Sequence, residues 1–158
     1  MSLFILNIVF AAVFTTLLGS GTIAAFFAGF FLGYVALWLS QPLYKDTRYF
    51  RKLPKTINLI GFFLIELVLS NFKVLWDIMT PGHINRPGIV GVPLSARSDL
   101  EIFIVANLLS LTPGSLSVDL SRDRKILYVH IMFLEDPEKT RQEIKNGLER
   151  RVLEVMRT

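Results

Sequence analysis

No cysteine occurs among the 158 residues, so disulfides, thiolate metal sites and cysteine nucleophiles are excluded outright. Histidine is scarce: there are only two, His83 and His130, and neither has neighbours at the spacing that would assemble the three or four ligands of a zinc site. The phosphate-loop pattern G-x-x-x-x-G-K-[ST] is missing, because the turn Thr112-Pro113-Gly114-Ser115 has no lysine after its glycine. The start "MSLFILNIVF" has no basic n-region, and no small-x-small cleavage site precedes a soluble domain, so the N-terminal block is expected to stay in the mature protein. Charge is absent over one long block: residues 1–44 contain no Lys, Arg, Asp or Glu. No catalytic, cofactor-binding or metal-binding residues are expected.

What remains is apolar to a degree unusual for a soluble domain of this length. Hydrophobic residues make up 52% of the chain and the mean hydropathy is +0.49. The net charge of +4 comes from one collar, where Lys45, Arg48, Arg51, Lys52 and Lys55 face the single Asp46. A nucleic-acid binder would spread its basic residues over a folded face, so no nucleic-acid partner is expected. A bilayer is the partner this asymmetry suggests.

Residues 3–18 form an apolar run of about 24 Å as a helix, and 22–44 one of about 34 Å, against a hydrocarbon core of about 30 Å. Gly19-Ser20-Gly21 turns the chain between them, and Thr22 is placed to cap the second helix. Residues 1–44 therefore read as a transmembrane helical hairpin. Ala25, Gly29 and Gly33 recur every four residues, a small-xxx-small stripe that lets two helix backbones approach. Trp38 and Tyr44 lie where an interfacial aromatic belt would be, and the basic collar at 45–56 orients both chain ends of the hairpin toward the cytoplasm.

The segment 57–80 is ambiguous. It is long enough to cross, yet Glu66, Lys73 and Asp77 fall within about 40° of one another around a helix, with Ser70 beside them. Lys73 and Asp77 stand four apart and could partly neutralise each other. One narrow polar stripe fits an amphipathic interfacial helix or a third membrane helix with its stripe against protein. An ion path is the lesser possibility, since no second polar helix completes a relay.

Residues 81–158 read as a small cytoplasmic α+β domain, in the order β-α-β-β-α. "PGIVGVPL" is strand-like, and Ser98 begins a helix with Asp99 and Glu101 in its first turn. Leu116, Val118 and Leu120 alternate with polar residues, "ILYVHIM" follows the charged turn "SRDRK", and these two strands should pair. Ile144, Leu148, Val152 and Val155 mark the apolar face of a terminal helix whose Glu and Arg residues should form a solvated face.

The runs "NRPGIVGVPL", "LTPGSLSVDLSRDRKILYVHIM" and "EDPEKTRQEIKNGLERRV", together with "AGFFLGYV", resemble the E subunit of the Mrp/Mnh-type multisubunit Na+/H+ antiporter along essentially the whole chain. The turn Thr112, Pro113, Gly114, Ser115 is the family signature. Ser115 stands where threonine is usual, Phe14 where tryptophan is frequent, Phe133 where aspartate is frequent, and Leu148 where phenylalanine is common. The resemblance implies an accessory, multi-pass subunit of the cell membrane, with the other antiporter subunits as partners and Na+ and H+ handled by the complex. The alternative is a membrane-anchored binding module recruiting a cytoplasmic partner through its charged terminal helix.

Overall fold

The computed structural model describes residues 2–44, 48–82 and 85–158. Lys45, Asp46 and His83, named above, lie outside the described residues. The chain divides into two compact units, Met1–Leu53 and Pro54–Thr158.

In the first unit, helix α1 (Leu3–Leu17) begins where the Ser2 hydroxyl accepts the Ile5 N–H, and helix α2 (Ile23–Leu39) where Thr22 accepts that of Ala25. Gly19 takes φ +62° at the turn between them, a left-handed conformation that suits glycine. The second helix ends sooner than the apolar run suggested. Ser40 caps it and Pro42 initiates a 3-10 turn over Gln41–Leu43. At 15 and 17 residues the two helices are about 22 and 26 Å long.

Helix α3 (Arg48–Met79) has 32 residues and takes in the collar from Arg48 onward, so it starts well before residue 57. Pro54 lies inside it, and the missing N–H and ring crowding weaken the helix at the point where the two units divide. Among the described residues this is the one helix long and apolar enough to cross a membrane, and none of its most apolar window is buried.

From Pro54 onward α3 belongs with a small α+β module. Strands β1 (Gly88–Pro93), β2 (Ser115–Leu120) and β3 (Ile126–Ile131) form an antiparallel sheet in the order β1-β3-β2. Helix α4 (Asp99–Leu111) connects β1 to β2, while α5 (Pro137–Ile144) continues through a π-helical turn at Lys145–Glu149 into α6 (Arg150–Met156). Val90, Val92, Leu127 and Val129 from the sheet meet Val105, Leu109, Ile144, Leu148 and Val152 from the helices, with Leu59 and Phe62 of α3 packed alongside.

The alternation in β2 has an unexpected sense. Leu116 and Val118 are 53% and 54% exposed, whereas Ser117 turns inward, its hydroxyl donating to the Ala106 carbonyl and its N–H to the Ser110 hydroxyl. A register shift between Ser117 and Asp119 returns Leu120 to the core side. The serines thus satisfy the backbone of α4, and the apolar pair faces outward.

Candidate functional site

In the hairpin, Ala25, Gly29, Gly33 and Leu37 are the buried residues of α2, opposite Asn7 and Ala11 of α1. A Cβ on Gly29 would lie 2.9 Å from the Cβ of Phe14, and one on Gly33 would overlap the Asn7 Oδ1. The two helices meet at backbone distance there. Asn7 is fully buried, and its Nδ2 donates to the Tyr49 hydroxyl at 2.7 Å. Its Oδ1 has no conventional donor, but the open Cα of Gly33 directly faces it, an approach suited to a weak Cα–H contact. Tyr49 also meets Phe4 at a tilt and Tyr34 and Phe50 edge-on, joining the start of α3 to the open end of the hairpin. Asn7 escaped the sequence-based list; a lone amide inside an apolar run was the available signal.

The polar stripe of α3 faces the module along much of the helix. The Lys55 ammonium donates to the Thr158 hydroxyl, Asn58 accepts from Arg151, and the Arg151 guanidinium lies 3.9 Å from the Phe62 ring centroid. Further along, Lys73 Nζ sits 4.8 Å from the Phe133 ring centroid. Asp77 accepts from the backbone N–H and the side-chain amide of Asn85, and is buried. Apart from Asn85, which follows the helix closely, these partners are far from it in sequence. A periodicity argument defines the stripe but cannot name what covers it.

Glu66, Ser70 and Lys73 line a cavity of about 640 Å3 whose opposite wall includes the signature turn Thr112, Pro113, Gly114 and Ser115, together with Glu143. The turn is held from within. Thr112 donates its hydroxyl to the Leu108 carbonyl, and Ser115 donates to those of Leu109 and Thr112. Gly114 adopts φ +87° and its carbonyl accepts the Met132 N–H at 2.7 Å, which positions β2 beside β3. Threonine and serine here terminate α4 and launch a strand. Their hydroxyls are occupied by backbone.

A second polar construction lies in the loop before α4. Glu149, only 1% exposed, accepts the N–H groups of Ser95 and Ala96 at 2.5 and 2.9 Å. Glu101 completes a capping box with Ser98 and also accepts the Arg97 N–H. Arg157 donates to both Glu101 oxygens and to the Ser95 carbonyl. The Arg157 guanidinium, then the Arg97 N–H, hold the Glu101 carboxyl down at about 2, outweighing the opposing effect of burial. The same pairing raises the pKa of Arg157. The expectation of a wholly solvated charged face on the terminal helix therefore needs correcting, because Glu149 turns inward to bind backbone.

His130 is half-buried on β3, opposite Ile89 and Leu116, and the exposed Asp119 carboxylate accepts the N–H of Leu120. Among the described residues no group of three or more His, Cys, Asp or Glu is arranged to hold a metal ion.

An apolar hairpin closed on its glycines, followed by a long amphipathic helix and an α+β module with a three-stranded antiparallel sheet, defines a class of small, largely helical and strongly apolar polypeptide. The chain belongs to the Na+/H+ ion antiporter subunit family, whose model matches residues 7–155. It is 35% identical over 151 residues to the E subunit of the Na(+)/H(+) antiporter of Alkalihalophilus pseudofirmus, covering 96% of each chain. The identity to the Bacillus subtilis counterpart is also 35%, over 153 residues and 97% of each chain. Among solved structures it is similar to a chain of the Mrp complex from a Dietzia species, with a TM-score of 0.52 and 27% identity, covering 63% of this chain and 93% of that one.

Proposed function

We propose that this chain is an accessory membrane subunit of a multisubunit Na+/H+ antiporter, supporting assembly and stability while other subunits form the main ion path. Its partners are the other antiporter subunits, as membership of the family implies. The observation that carries the accessory role is the use of its ionisable groups. Residues 1–44 have no charged side chain, while Lys55, Lys73 and Asp77 of α3 contact the module or the loop leading to it. Glu66 opens onto a local cavity shared with Lys73 and Glu143 rather than onto a row of ionisable groups along the hairpin. A proton or sodium relay needs ionisable groups facing a continuous path.

The same contacts support a particular topology. Lys55 and Lys73 are about 27 Å apart along a helix, nearly the thickness of the hydrocarbon core, yet both meet the module. A helix crossing the bilayer could not keep a polar domain against both points. Helix α3 therefore lies at the interface with its bare apolar side toward lipid, the hairpin is the multi-pass anchor, and the module is cytoplasmic. With helices of about 22 and 26 Å, the hairpin requires local thinning or the flanking residues to complete its spans.

Deleting the chain should abolish the sodium resistance conferred by the complex. Glu66→Gln should weaken exchange only modestly, and loss of exchange with the complex intact would instead assign Glu66 a direct ion role. Cysteine labelling at Thr158 from the cytoplasmic side tests the topology; labelling only from outside would overturn it. A second reading, recruitment of a cytoplasmic partner, draws on the outward-facing Ile89, Leu116 and Val118 of the sheet. Pull-down with the full chain recovering only antiporter subunits would count against it. Under either reading the chain is not an enzyme.

A further inference from the structure

The cavity beneath α3 has features that neither the core nor the signature turn requires. Its base is apolar, with Phe62, Leu109, Ile131 and Ile144 among its lining. Charges of both signs stand above that base: Glu66 and Lys73 on α3, and Glu143 on α5. Glu66 and Ser70 make no side-chain hydrogen bond or ion pair with any other described residue. Among the described residues, Glu143 pairs only with the exposed Lys139, at 3.9 Å. Lys73 rests on the face of Phe133, which orients its ammonium and leaves donors for an anion.

We propose that this cleft binds the headgroup of a zwitterionic aminophospholipid, its phosphate on Lys73 and its primary ammonium between Glu66 and Glu143. The inference rests on the interfacial placement of α3 proposed above. In that placement, one side of the helix is immersed at the level where headgroups meet acyl chains, and the cleft runs beneath its other side. Leu64, Ile65, Val68 and Leu69 on the bare side are each at least half exposed, a continuous apolar surface for acyl chains beside the charged cleft.

The charge balance selects the lipid class. Two carboxylates against one ammonium disfavour a purely anionic headgroup, whereas a zwitterion presents a partner to each sign. A primary ammonium has three N–H donors for the carboxylates and the Ser70 and Thr140 hydroxyls, while a quaternary amine has none. A bare monovalent cation would leave a cavity of about 640 Å3 and its apolar base unused.

The intact antiporter complex, purified in mild detergent, provides the test. Lipids retained after exhaustive washing are extracted and quantified by class, for the wild type and for Lys73→Ala, Glu143→Gln and their combination. Phosphatidylethanolamine should be retained selectively over phosphatidylglycerol, and the double variant should lose about tenfold of that retention, equivalent to about 1.4 kcal/mol of binding, with the complex still assembled. Equal retention in the double variant, or selective retention of phosphatidylglycerol, would overturn the proposal.

Photo-crosslinking with benzoylphenylalanine at Leu64 and, separately, at Thr140 distinguishes this inference from the topology beneath it. Aminophospholipid adducts at both positions support the cleft. Adducts at Leu64 alone retain the interfacial helix but sink the lipid site, as does a crosslink from Thr140 to a neighbouring subunit. Absence of lipid adducts at both positions sinks the two together.

Discussion

The hairpin and the α+β module solve opposite problems with opposite materials. The hairpin has no charge, and its specificity comes from omission: Gly29 and Gly33 leave out side chains so that two backbones can touch. The module is stabilised in part by charge, since Glu149 and Glu101 are drawn inward to bind the N–H groups of one loop. In the membrane setting proposed for the hairpin, apolar packing between helices gains nothing from expelling water, so fit decides it. In the module hydrophobic burial forms the core, and buried charge is tolerated where several donors satisfy it.

That contrast can be broken most severely at Gly33. Gly33→Val should cost about 3 kcal/mol or more, because its Cβ would meet Asn7 Oδ1 at a distance that requires the helices to part. Loss of the chain from the purified complex, or a collapse of its thermal stability in detergent, is the expected readout. In the module, Glu149→Ala should cost about 2–3 kcal/mol by leaving the Ser95 and Ala96 N–H groups without their acceptor, and Glu149→Gln should recover part of that loss. Chemical denaturation of the full-length chain would measure both.

The pH dependence sharpens the comparison. The folded-state pKa of Glu101 is depressed from 4.5 to about 2, so its contribution is complete above 4.5 and is lost as pH falls toward 2. The melting temperature of the module should fall over that window, and Arg157→Gln should make the fall shallower, as the largest cause of the depression is removed. A melting curve unchanged by Arg157→Gln between pH 4.5 and 2 would show that the pair contributes nothing. Ser98→Ala should cost about 1 kcal/mol through loss of the α4 cap. The smallest effect, and the only favourable one, is expected at Gly61, where nothing lies within 4 Å: Gly61→Ala should stabilise α3 by about 0.5–1 kcal/mol.

Much of the site was legible as pattern and little of it as contact. The four-residue recurrence of Ala25, Gly29 and Gly33 is visible in one line of sequence, yet Asn7 is their neighbour only because α1 returns antiparallel to α2. The narrow arc of Glu66, Ser70 and Lys73 follows from helical geometry, but the module beneath it comes from residues as distant as Phe133 and Glu143. In β2, alternation identified two faces without saying which would be inside. Ser110 and Ser117 decided that through hydrogen bonds across elements.

By itself the sequence determined the uncharged block, the basic collar, the amphipathic segment and the β-α-β-β-α order, since each depends on composition or short-range periodicity. Tertiary structure alone decided that α3 is already helical at Arg48, that its polar side carries the module from Lys55 to Lys73, and that Glu149 is buried. The reason is physical. Local pattern sets which face of an element is polar, while the partner for that face is chosen by unsatisfied groups and apolar surfaces that only the folded chain brings together.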